Sequence, residues 1–134
     1  MLAPDLDDQT VEALGKLSEA LEWVERSRGA LYDFHQKIGH ADLTLGDAIE
    51  LFEKAGHTEQ AELLRTTLLG RNVLPGRWTY QIMEEYDTGY WSVFRDVEQA
   101  ARDALAGGRK HVFEARMKAD ERTRAGREVW ADGA

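Results

Sequence analysis

Leu14, Leu17, Leu21, Val24, Leu31 and Ile38 recur at spacings of three, four and seven residues. That rhythm places them on one face of an α-helix and on alternating faces of nothing else. It constrains the chain more than any other feature, because a seam of this length needs a partner surface along its whole course. Asp7 and Asp8 stand where a first turn wants a carboxylate to accept its free amide protons. The seam therefore predicts a first helix from about residue 9 to 38. Gly39 and His40 are expected to end it, since glycine supplies a left-handed terminal residue without steric cost. Trp23 and Phe34 widen the apolar face.

Thr44 is expected to cap a second helix, with Asp47 three residues on as an imperfect capping box. Ala48, Ile49, Phe52 and Ala55 mark its buried side. Gly56-His57-Thr58 interrupts it, and Thr58 can cap a third piece carrying Ala61, Leu64 and Leu68, so that two short helices and one kinked helix are equally readable. Gly70 to Arg77 reads as a loop around the turn dipeptide Pro75-Gly76. A long helix follows from about Trp78 to Ala106. Its expected buried stripe is Met83, Tyr86, Tyr90, Val93, Val97, Ala100 and Ala104. Gly107-Gly108 closes it. A charged last helix spans about 109–124, with Val112, Ala115 and Ala119 as its apolar side.

No stretch alternates with period two. The fold class is therefore all-α, and short connections between long helices predict an antiparallel up-down bundle of four to five helices. With 134 residues, the chain is expected to form a single domain over 1–134. Residues 1–7 and about 126–134 are read as flexible ends, although Val129 and Trp130 have the character to dock.

Charge narrows the function classes. The net charge of −8 disfavours nucleic acid and anionic membranes as partners. Residues 1–60 hold thirteen acids and five bases, whereas 109–128 hold seven bases and four acids. Such blocks attract each other within one chain or between two chains head to tail. No apolar run is long enough to span a bilayer, and the acidic N-terminus has no secretory character, so a cytoplasmic location is expected. Cysteine is absent, which removes disulfides and thiolate chemistry.

Four constellations have residues that could carry chemistry. Six of the twelve aromatic residues fall within 78–94. Trp78, Tyr90, Trp91 and Phe94 are the candidate interface residues among them, because aromatics on two faces of one helix suit partner contact. The second constellation interrupts the first seam. Arg28 and His35 fall on the inward rhythm and need partners there. Glu84, Glu85 and Asp87, together with tyrosine hydroxyls, are the candidates. Such a group could bind a small anion, do acid/base work, or serve as a satisfied structural network that fixes helix register.

The loop arginines Arg71 and Arg77 form the third, as donors near a helix start. Neither a Gly-x-x-x-x-Gly-Lys-Ser/Thr nor a Gly-x-Gly-x-x-Gly pattern accompanies them. Metal binding is the fourth. Glu-x-x-His is absent at all four histidines. A site assembled from separate helices, for instance His35, His111 and Glu50 or Glu114, stays open. In architecture and length, but in no motif, such a chain resembles the three-histidine bundles of the DinB-like family, so no residue role carries over.

Ser18, Ser27 and Ser92 lie inside helices and not in a strained nucleophile elbow. No catalytic residue, metal ligand or cofactor is expected. The leading expectation is a non-catalytic helical protein acting through self-association as a dimer or through another protein. The alternative is a small-anion or metal-binding bundle built around Arg28 and His35.

Overall fold

The computed structural model describes residues 6–125 of the chain. It is all-α. Helix α1 spans Asp8–Lys54, α2 Thr58–Thr67, α3 Thr79–Tyr86, α4 Ser92–Ala106 and α5 Val112–Arg124. A π-helical turn, Asp87–Trp91, joins α3 to α4. These three run on from one another, so the five α-helices form four continuous helical stretches. The only extended pairing among the described residues is an isolated bridge between Leu74 and Arg77. It flanks the Pro75-Gly76 turn, where Gly76 has a φ of 71°.

The first helix starts as its sequence dictates. Asp7 Oδ1 accepts the Thr10 backbone N–H at 2.7 Å, and Oδ2 accepts the Thr10 hydroxyl at 3.0 Å. Its end corrects the expectation. Gly39 and His40 do not stop the helix, which runs unbroken for 47 residues. A lone glycine costs a helix interior about 1 kcal/mol, and no proline follows to forbid continuation. Asp42, Leu45 and Ile49 carry the inward rhythm past it, which outweighs that cost. Thr44 is likewise no N-cap. Its hydroxyl donates to the His40 carbonyl at 2.9 Å, a bond back to the preceding turn. The chain leaves the helix at Gly56, with a φ of 85°. The cap of α2 is His57 instead of Thr58.

The chain divides into two compact units. One comprises the described residues up to Glu25 with those from Trp91 onward, and the other is Arg26–Tyr90. In the first unit, Val11 and Leu14 of α1 pack with Ala106 of α4 and Val112 of α5. Gly15 lets α5 come close, since a Cβ there would lie 2.9 Å from that of Phe113. Trp91 Nε1 donates to Glu25, and the Arg95 guanidinium stacks 4.6 Å from the Trp91 ring centre. Arg116 of α5 donates to Asp8 and to the Leu6 carbonyl, which ties both ends of the unit together.

The expected stripe on the long helix is corrected by one residue. In this unit the inward positions are Trp91, Phe94, Glu98, Ala101, Arg102 and Ala106, not Val93, Val97, Ala100 and Ala104. A π turn holds one residue more than an α turn, so each face beyond it advances by one position. Val93 and Val97 are left 59% and 60% exposed.

In the second unit α1 runs beside α2 and α3. Ile49 of α1 and Ala61 of α2 are buried. Phe52 and Ala55, expected inside, are exposed. Arg65 of α2 pairs with Glu53 and, at 2.9 Å, with Glu62. The loop after α2 is held by the Gly70 N–H, which donates to Asp42 Oδ1 at 2.9 Å.

Candidate functional site

Ser27, Arg28, Tyr32 and His35 lie on one face of α1 in the second unit, at spacings of one, four and three. Each meets a side chain from the stretch that follows the loop. The Ser27 and Tyr86 hydroxyls share a bond of 2.8 Å. Arg28 Nε donates to Asp87 Oδ1 at 2.7 Å, and its Nη2 to Asp87 Oδ2 at 3.1 Å. The Tyr32 hydroxyl donates to the same Oδ2 at 2.6 Å and accepts from Arg28 Nη2 at 2.9 Å. The guanidinium also sits 4.6 Å from the Tyr32 ring centre. His35 Nδ1 and the buried Thr79 hydroxyl are 2.5 Å apart.

The electrostatics follow from these contacts. The Arg28 hydrogen bonds, with that of Tyr32, hold the Asp87 carboxyl below the usual carboxylate range. The bond to Asp87 in turn raises the Tyr32 hydroxyl above its ordinary value. Asp87 is thus an ionised, three-fold hydrogen-bonded acceptor. Three of its roughly four lone-pair sites are taken up within the protein, as in a clamp that fixes the register of one helix against another.

Of the sequence candidates, the structure brings Arg28 together with Asp87, and His35 with Thr79. Glu84 and Glu85 do not join them. Glu85 instead pairs with Arg77 at 2.9 Å, Glu84 is exposed, and Arg71 reaches back to the Thr67 carbonyl at 3.4 Å. The aromatic candidates also separate. Trp78 and Tyr90 are 55% and 58% exposed. Trp91 and Phe94 are half-buried in the first unit.

The first unit holds the buried charges that sequence reasoning missed. Arg102 Nε donates to both Glu98 carboxylate oxygens at 2.9 Å, and Ser18 donates to Glu98 at 3.3 Å. The guanidinium also reaches the Gly108 carbonyl at 3.2 Å and Gln99 Oε1 at 2.6 Å. The pair lines a cavity of about 360 Å³ together with Lys110 and His111. The Glu-x-x-x-Arg spacing was visible in the sequence. Its burial was not, because only the π turn turns it inward.

Among the described residues, no group of three or more histidine or carboxylate side chains is placed to hold a metal ion. No described helix is long and apolar enough to cross a membrane. No known family, no curated protein and no solved structure matches the chain.

Proposed function

We propose that this is a non-catalytic helical protein that acts through helix-to-helix contacts with other protein surfaces, first of all with further copies of itself. One observation carries the reading. Among the described residues seventeen large apolar side chains are exposed, against seven buried hydrophobic residues, of which two are alanines. Among the described residues no large side chain is fully buried. Single exposed leucines are ordinary on a protein surface, but a chain whose exposed apolar side chains outnumber its core resembles half of an interface. The clamp at Arg28 and Asp87 supports the same reading, since its polar groups satisfy one another within the chain.

Sedimentation equilibrium on the untagged protein tests this. The expected result is reversible self-association at micromolar concentration. A monomer at every concentration up to the solubility limit overturns it.

A further inference from the structure

Helix α1 carries two seams. The inward one, in the second unit, passes through half-buried Leu31, Ile38 and Leu45 to buried Ile49. Beside it runs a second, strict heptad seam formed by Ala30, Phe34, Lys37, Ala41, Thr44, Ala48 and Leu51, with Ala55 one residue past the helix end. Spacings of four and three alternate along it without a break. All of these residues are exposed except Ala48, which is half-buried, and Leu51 is 64% exposed. Six of its eight members are apolar, Lys37 and Thr44 being the exceptions, and an apolar seam with this period is the surface that a second helix packs against by knobs into holes.

We infer that the occupant of this seam is the same segment of a second copy of the chain, running antiparallel. The charges beside the seam argue for it. In heptad terms the flanking g positions are Asp33, His40, Asp47 and Lys54, all exposed. The e positions on the other flank are Leu31, Ile38, Leu45 and Phe52. In an antiparallel pair the g positions face one another. Asp33 then lies opposite Lys54 of the second copy, and His40 opposite Asp47, each contact occurring twice by symmetry. No like charges meet. A parallel pair would set Lys37 against Lys37 and leave the g charges facing apolar residues.

The same register provides a fit of shape. Ala48, Leu51, Phe52 and Ala55, at i, i+3, i+4 and i+7, line a shallow apolar hollow together with His57. Four residues at those offsets form the hole that receives one knob. The antiparallel register delivers Phe34 of the second copy to this hole. Lys37 then faces the small Ala48, over which its stem can lie while its ammonium keeps the 2.8 Å bond to Asp33.

This inference rests on the self-association proposed above, and its test separates the two. Lys54→Asp should raise the dimer dissociation constant about tenfold, because two attractive contacts become repulsive. Asp33→Lys combined with Lys54→Asp should restore it to within about threefold of the parent value. Phe34→Ala should weaken the dimer about a hundredfold by emptying both holes. Circular dichroism should be unchanged in all three, since the replaced side chains lie on the surface. The chain has no cysteine of its own, so orientation is read from Ala30→Cys and Ala55→Cys. The two single variants should cross-link on mixing and not separately. A dimer indifferent to Lys54→Asp and Phe34→Ala, or one in which Ala30→Cys cross-links to itself, overturns this interface and leaves self-association standing. A monomer overturns both.

Discussion

Arg28 and Asp87, 59 residues apart in sequence, meet through two parallel N–H···O bonds of 2.7 and 3.1 Å. Asp87 is the first residue of the π turn. The fork of the guanidinium matches both carboxylate oxygens, so the contact fixes an angle as well as a distance. The pair is only partly shielded, at 29% and 21% side-chain exposure, which places its worth between that of a surface and a buried bridge.

Asp87→Asn should therefore lower stability by about 1–2 kcal/mol at neutral pH, read by urea denaturation. The pH dependence has a definite sign. The Asp87 carboxyl titrates lower in the folded chain than in the unfolded one, chiefly because Arg28 donates to it. Its contribution is complete above the unfolded value, near pH 4, and is lost as the pH falls through the folded value. The parent should lose more stability than Asp87→Asn over that acid range. Equal acid limbs would exclude the clamp.

The face of α4 can be tested by neighbouring substitutions. Glu98→Gln should destabilise by about 3 kcal/mol, because the buried Arg102 loses its counter-charge. Val97→Thr, one residue away and exposed, should change stability by no more than about 0.5 kcal/mol. The reverse order would mean that α4 follows the uninterrupted α-helical stripe. Thermal unfolding followed by circular dichroism resolves the two.

Gly15 and Gly29 both lie inside α1, and their substitutions should differ in sign. Gly15→Leu places a side chain against the Phe113 Cβ and should lower stability by about 2 kcal/mol or more. At Gly29 no atom lies within 4 Å of an added Cβ, so Gly29→Ala should stabilise by up to about 1 kcal/mol.

The contact between His35 and Thr79 depends on the hydroxyl. Thr79→Val removes it at nearly constant volume and should cost about 1 kcal/mol, whereas Thr79→Ser keeps the hydroxyl and should cost less. Chemical-shift perturbation at the His35 ring, present in Thr79→Val and small in Thr79→Ser, distinguishes the lost bond from altered packing.

Helix identity was legible in the sequence because it rests on local rules. The seam from Leu14 to Ile38, the Asp7 cap, the loop at Pro75-Gly76 and the break at Gly107-Gly108 are each set by residues within a turn or two. The inward pull on Arg28 and His35 was legible for the same reason. Their partners were only partly so. Asp87 was one of three neighbouring acids, and Thr79 carried no signal, since a threonine at a helix start reads first as a terminal residue. Tertiary structure decided two things that no local rule contains. It kept α1 running through Gly39, because burial along the inward face from Leu31 to Ile49 exceeds the cost of one glycine. It also inserted the π turn, which moved the inner face of α4 by one residue, put Glu98 and Arg102 inside and left Val93 and Val97 outside. Helical periodicity repeats only while each turn holds the same number of residues. A single extra residue, stabilised by contacts that lie far away in sequence, resets every face beyond it.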